Sequence, residues 1–361
     1  MREQASTAPE EMPRIRLTRK RVLVSGVFVV SIVAFLYFVL PKVLGLQETW
    51  NRIQCGNVWW LGLGVALELC SFCGYVALFR AVFVRGESRI DWRESYQITM
   101  AGLAATRLFA SAGAGGIALT AWALRRSGMQ ARMAACRLIA FIALLYAVYM
   151  AAVVIDGLGL YLGVLSGQAP FAITVVPAIF GAGVIVVFLS VSSLPGDFDR
   201  LVARWTVGGG KPGWLARRVA AVPATAASGV RSAIALLRAG DPQLLGAVGW
   251  WGFDIAVLWA CFHAFGASPA GGVIVMAYFV GMVGNTLPLP GGIGGVDGAM
   301  IGAFTAFGVD AEISVVSVLA YRAIAFWLPT LPGAVAYLQL RRTVHRWEGE
   351  PAPALSGPRS S

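Results

Sequence analysis

The sequence predicts an all-α protein that crosses a membrane repeatedly. About six full transmembrane helices are expected, plus two oppositely inserted re-entrant hairpins in an arrangement like an inverted repeat. Three observations predict it. The 361-residue chain is 58% hydrophobic and only 13% charged, about half the charged share of a soluble domain. Its basic residues fall in the gaps between apolar runs, as the positive-inside rule expects. Two apolar stretches are interrupted by glycine, the second also by proline, in a way a plain membrane helix does not need.

The same numbers exclude other classes. A net charge of +11 suggests nucleic acid only until the cations are placed, and their position in loops assigns them to topology instead. Cys70-x-x-Cys73 has redox spacing, but it lies in an apolar helical run with no βαβ pattern, so both are read as small core residues. With only His263 and His345 present, no histidine metal cluster is expected. No P-loop, G-x-S-x-G or H-E-x-x-H pattern occurs, so neither a catalytic motif nor a cofactor is expected. Only three of the 29 basic residues are lysine, a bias that points to a GC-rich bacterial genome.

Residues 1–21 form a polar, then basic, cytoplasmic N-terminus. The run 22–40 is long enough to span and lacks a small-residue cleavage site, so it is a retained first helix. Residues 58–79 make the second span, with Glu68 inside it, and Arg80, Arg85, Arg89 and Arg93 follow. The stretch 96–124 is apolar but carries Arg107 and the run 111–116, S-A-G-A-G-G. Arg125, Arg126 and Arg132 come directly after it. Basic loops on both sides put both ends in the cytoplasm, which a hairpin achieves and a single crossing does not.

Spans at 134–155 and 171–193 come next, joined by a cation-free loop. Residues 194–243 are a polar linker whose middle, 216–237, reads as an amphipathic helix on the inner surface. A span at 244–265 carries Asp254 and His263. The stretch 285–300 then reads N-T-L-P-L-P-G-G-I-G-G-V-D-G-A-M. Pro288 and Pro290 disrupt a helix, and Gly291 and Gly292 permit unwound backbone. Gly294, Gly298 and Gly302 recur every four residues, placing a close-approach face on the helix that follows. Broken backbone at membrane depth is tolerated only when buried in protein or lining a wet cavity. The last span is 313–338. Residues 22–340 thus form the membrane domain and 341–361 a disordered cytoplasmic tail. The pairs Trp59-Trp60 and Trp250-Trp251 are expected to mark membrane interfaces.

On this assignment 25 of the 29 cations are cytoplasmic, with Arg137 counted at the cytoplasmic boundary of its span. Both termini are then inside, and the second broken stretch enters from the outer face while the first enters from the cytoplasm. The halves also share short similarities: 112–116 with 291–295, and Arg137-Leu-Ile-Ala-Phe141 with Arg322-Ala-Ile-Ala-Phe326. Opposite insertion with internal similarity fits the inverted repeats of transporters, whose broken helices meet near the midplane.

Three passages carry a family resemblance: Arg107 through Gly116, residues 123–129 (A-L-R-R-S-G-M), and Asn285 through Met300. Over roughly 22–340 the chain resembles the flippase-like membrane domain of lysylphosphatidylglycerol synthases, in its stand-alone form. Asp297 stands where that family usually has glutamate. No aminoacyl-transferase domain follows the membrane region in this sequence, so the resemblance implies the transport half and argues against aminoacyl transfer. It implies membrane lipids as partners, together with a separately encoded lipid-modifying enzyme and a homo-oligomer as further possibilities.

Arg107 and Arg322 are the leading site candidates, because an intramembrane arginine is costly and faces a cavity or a partner. Guanidinium binds phosphate through two parallel hydrogen bonds. The headgroup set is Arg107, Gly115, Gly116, Asn285, Gly291, Gly292, Gly294, Gly295, Asp297 and Arg322, with Glu68, Arg137 and Asp254 as secondary polar candidates. Half-helix N-termini beside Gly116 and Gly295 would add backbone donors. The competing reading is structural: Arg322 paired with Asp297, Arg107 with Glu68, Arg137 snorkelling at a boundary, His263 a satisfied core histidine. Two other functions stay open, an enzyme acting on a lipid-linked substrate and a scaffold for a separate synthase.

Overall fold

The structure, a computed structural model, describes residues 56–84, 89–108, 114–192, 211–286, 292 and 294–349. The predicted first span at 22–40 and most of the proline-glycine stretch lie outside them, as does Gly291. Every described element is helical, and no strand occurs among the described residues. In chain order the helices are α1 (Val58–Phe83), α2 (Trp92–Leu108), α3 (Ala114–Arg126), α4 (Ala131–Tyr161), α5 (Phe171–Ser192) and α6 (Lys211–Ala239). They continue with α7 (Gly246–Ala264), α8 (Gly271–Met282), α9 (Gly295–Ala306), α10 (Ala311–Arg322) and α11 (Thr330–Gly349). Among the described residues five segments are long and apolar enough to cross a membrane: Val58–Phe83, Ala131–Tyr161, Phe171–Val191, Pro242–Ala264 and Ala311–Trp347. The fold is therefore an all-α, multi-pass membrane protein.

Helix ends follow local chemistry. Asn57 caps α1 by accepting from the Trp59 N–H at 3.0 Å, and Asp310 caps α10 by accepting from Ile313 at 3.0 Å. The long helix α4 runs past the expected end at 155 to Tyr161, because the sequence up to that point holds no proline. Asp156, expected in a loop, is buried inside it. The final segment also differs. It is not one smooth helix, since a π-turn at Ala323–Trp327 separates α10 from α11. The helix then persists to Gly349, so 341–349 is ordered where a structureless tail was expected.

Two pairs of described helices are shorter than the spans. At 1.5 Å per residue, the 17 residues of α2 and 13 of α3 reach about 25 and 20 Å, against a hydrocarbon core of about 30 Å. The 12-residue helices α8 and α9 reach about 18 Å each. The two arms of each pair pack antiparallel. A Cβ on Gly116 would collide with Thr106 Oγ1 and the Gly102 carbonyl. One on Gly284 would strike the Gly295 backbone, and one on Gly281 the side chain of Met300. Each broken stretch of the sequence is thus flanked by two short helices that pack on one another.

Packing relates the halves. Helices α1 and α7 run antiparallel in close contact. The Asn57 N–H donates to the Ala264 carbonyl at one end, while Gly74 meets Gly246 backbone to backbone at the other. The first pair lies against α11, where Thr343 Oγ1 donates to Gln97 Oε1 at 2.9 Å. The second lies against α4, where Tyr149 OH donates to the Phe279 carbonyl at 2.7 Å. Each pair therefore packs on the spanning segment that follows its counterpart, α4 for the second and the α11 end of the segment Ala311–Trp347 for the first. The apolar core gathers where α4, α7, α8, α9 and α10 meet, around Tyr278, Phe279, Phe262 and Phe304. Helix α5 turns Ile179, Phe180, Val186 and Val187 outward, as a lipid-facing helix does.

Four expectations change. The predicted amphipathic helix exists as α6, but Ala227, Val230, Ala233 and Leu236 on it are buried and Gly229 sits against Ile139 of α4. Protein rather than lipid covers that part of its apolar face. Gly294, Gly298 and Gly302 face open space among the described residues, so the close approach of α8 to α9 uses Gly281 and Gly284 instead. Trp251 is more than an interface marker: its Nε1–H donates to the Leu145 carbonyl at 2.8 Å among Tyr149, Tyr278 and Phe279. Cys70 and Cys73 are free thiols on the exposed face of α1, not core residues.

Candidate functional site

The polar centre of the protein is assembled from six helices. Glu68 comes from the middle of α1, Arg107 from the last turn of α2 and Asp254 from the middle of α7. Tyr278 comes from α8, Asp297 from the first turn of α9, and Tyr321 and Arg322 from the end of α10. Three predicted principals and two secondary candidates are therefore brought together, from elements far apart in sequence.

Arg322 Nε approaches Asp297 Oδ1 at 2.8 Å, and both side chains are more than nine-tenths buried. The N–H does not point along that line, so the contact is ionic rather than a well-aligned hydrogen bond. Asp297 Oδ2 accepts the Gly294 N–H at 2.7 Å. One carboxylate thus closes the N-terminus of α9 and holds an arginine. It also occupies a backbone donor that an incoming anion was expected to use.

Arg107 is held differently. Its Nη1 and Nη2 donate to the carbonyls of Phe326 and Ala325 at 3.2 and 3.0 Å. Those carbonyls lie in the π-turn, where Leu328 N–H reaches back five residues to Ala323. A π-turn of this kind loosens the regular ladder and recurs at functional sites. The guanidinium is also within Coulombic range of Glu68, Asp254, Tyr321 and Arg322. Both arginines lie over the ring of Phe326, at 5.4 Å for Arg107 and 4.4 Å for Arg322, a cation–π arrangement.

Asp254 Oδ2 accepts two phenolic hydrogens. One comes from Tyr278 in a short hydrogen bond, and the other from Tyr321 at 3.1 Å. Glu68 lies beside it within side-chain hydrogen-bonding reach. Neither tyrosine was anticipated, because an isolated tyrosine in an apolar run carries no spacing signal. The π-turn carbonyls were invisible for a simpler reason: backbone groups have no letter of their own.

The remaining candidates lie around this centre or apart from it. Gly116 lets α3 touch α2, and Gly115 precedes it at the start of α3. Gly292 and Gly294 take φ of +64° and +82°, the left-handed region that favours glycine. A Cβ on Gly292 would run into Asn285 Oδ1, so Asn285 braces the broken backbone, with its Nδ2 at 3.3 Å from Met282 Sδ. Gly295 opens α9. Arg137 donates from Nη1 to the Phe83 carbonyl at 2.8 Å, at the C-terminus of α1 and apart from the cluster. His263 Nδ1 lies 3.0 Å from the Trp259 carbonyl and its ring packs against Trp60 and Trp259, as a satisfied structural histidine does. No group of His, Cys, Asp and Glu that could hold a metal occurs among the described residues.

Fold and site together define a multi-pass α-helical membrane protein with a charged centre between two pairs of short helices. A model of the family described as Lysylphosphatidylglycerol synthase TM region matches residues 22–333. The chain belongs to that family. It is also similar to two UPF0104 membrane proteins of Methanothermobacter thermautotrophicus, at 33% identity over 90 residues and 34% over 86. Those matches cover 25% and 24% of this chain and 26% of each relative, so the chain spans about a quarter of the length of the curated relatives it matches.

Proposed function

We propose that the protein moves a phosphate-bearing lipid between the leaflets of a bacterial plasma membrane, with both termini cytoplasmic. The hairpin α2–α3 dips in from the cytoplasm and α8–α9 from the outside. The headgroup passes through the charged centre between their tips while the acyl chains stay in the bilayer. One observation carries the reading: two arginines and three carboxyl groups are gathered between the tip of one hairpin and the tip of the other. Charge at that depth is costly unless it serves transport or pairing. Arg322 already has Asp297, whereas Arg107 rests on two carbonyls that a phosphate can outbid, since hydrogen bonds between ionised groups are roughly twice as strong.

Reconstitution with headgroup-labelled lipids tests it. Labelled headgroups should become accessible across the bilayer faster than in empty vesicles, and Arg107→Gln should slow that exchange at least tenfold. No acceleration for any lipid class of the native membrane removes the reading. A second reading gains from the proximity of Glu68 and Asp254, the acid–base pair that an enzyme acting on a lipid-linked substrate would need. Product formation by the purified protein, lost in Asp254→Asn, would favour it over transport.

A further inference from the structure

The carboxyl groups of Glu68 and Asp254 lie within side-chain hydrogen-bonding reach of each other, and each keeps a buried oxygen with no donor. An ionised carboxylate only accepts, so a hydrogen bond between two carboxyls requires a proton on one of them. The burial makes the requirement sharper. Glu68 is 2% exposed and Asp254 8%. With both ionised, Glu68 Oε2 and Asp254 Oδ1 have no hydrogen-bond donor among the described residues. A single proton between the groups removes that deficit.

Charge balance gives an independent count. Two arginines, Arg107 and Arg322, face three carboxyls, Glu68, Asp254 and Asp297. One proton on the pair makes the centre neutral, and a net buried charge is what a membrane interior penalises. The other groups facing the pair are the hydroxyls of Tyr278 and Tyr321 on Asp254, and Tyr75 within Coulombic range of Arg107. From α4, Tyr149 is committed to the Phe279 carbonyl, and Tyr146 acts on Tyr75 and Tyr149. None of these supplies a compensating positive charge. A metal cation in the proton's place would sit beside the Arg107 guanidinium, which repels it.

We propose that Glu68 and Asp254 form a proton-binding pair that holds one proton in the empty site and takes up a second when an anionic phosphodiester headgroup enters. The second step rests on the lipid reading above. A phosphodiester brings one negative charge to Arg107, and one further proton from water restores neutrality by bonding to the carboxylate still ionised. No covalent bond of the lipid changes. Linkage makes the effect reciprocal: if the lipid draws in a proton, acid tightens lipid binding.

Infrared difference spectroscopy on the purified protein in detergent, at neutral pH, tests the resting proton. A deuterium-sensitive band of a protonated carboxyl is expected in the wild type. It should disappear in both Glu68→Gln and Asp254→Asn, two isosteric variants of which one folded example suffices. Absence of the band, its persistence in either variant, or its replacement by a sodium-dependent carboxylate signal overturns the proposal. Calorimetry in buffers of different ionisation enthalpy tests the second step. Short-chain phosphatidylglycerol should bind with uptake of about one proton per lipid, and short-chain phosphatidylcholine with none. Phosphatidylglycerol binding without proton uptake overturns the coupling. A band assigned to the pair with no binding of either lipid overturns the headgroup reading and the uptake step, and supports the resting proton.

Discussion

Arg322 and Asp297 are coupled tightly enough to predict non-additive substitutions. Removing one member of a buried pair strands the other's charge, at a cost of about 3–5 kcal/mol. Arg322→Gln and Asp297→Asn should each lower the thermal midpoint in detergent, and the double variant should lose much less than their sum. Asp297→Asn should be the worse single change, because it also loosens the Gly294 N–H and with it the start of α9. Strict additivity would show that the pair is not coupled. Arg107 makes a different prediction. Its planar fork reaches two successive carbonyls, a geometry that an ammonium cannot copy. Arg107→Lys keeps the charge, yet it should slow lipid exchange nearly as far as Arg107→Gln. These charged residues could be read from sequence because a charge inside an apolar run stands out. Glu68 and Asp254 could be noticed individually, but their meeting depends on α1 and α7 running antiparallel, which no spacing encodes.

The breaks between the short paired helices were legible for the same kind of reason: glycine and proline leave a local mark where a helix ends. Which glycines carry helix contacts was not legible, since that depends on the face a neighbour happens to cover. The regular series Gly294, Gly298 and Gly302 looked like a contact face and is open among the described residues, whereas the unremarked Gly74 and Gly246 lie backbone to backbone. The π-turn after α10 also escaped notice, because the run 323–327 has unremarkable helix-forming composition. A comparison within one helix tests the packing claim. Gly246→Ala puts a Cβ into the Gly74 carbonyl, while Gly252→Ala meets nothing within 4 Å. Overpacking costs about 1–3 kcal/mol, whereas alanine for glycine in an open helix position gains up to about 1 kcal/mol. Gly246→Ala should therefore lower the unfolding midpoint and Gly252→Ala should hold or raise it. Equal effects would mean that the α1–α7 contact is looser than its geometry.

Crossed packing of the two halves, each helix pair on the spanning segment that follows the other, is what a two-fold axis in the membrane plane would generate. Antiparallel α1 and α7 would lie astride that axis, with Gly74 and Gly246 as the point of contact. The consequence is topological. If the axis lies in the membrane plane, the ends of the first hairpin and the ends of the second open on opposite sides. Gln130 and Ala311 are exposed residues that each follow a hairpin. Gln130 caps α4 without a side-chain hydrogen bond, and Ala311 begins α10, so cysteine at either place disturbs little. In sealed cells a membrane-impermeant thiol reagent should label Ala311→Cys and leave Gln130→Cys untouched, and inside-out vesicles should reverse the pattern. The cation distribution dictates the direction, since Arg125, Arg126 and Arg132 flank Gln130 whereas the 308–312 loop is acidic. Labelling of both sites from one side would place the hairpins on one face. Arg107 and Asp297 could then still be neighbours, but a headgroup entering between them would have no second leaflet to leave by.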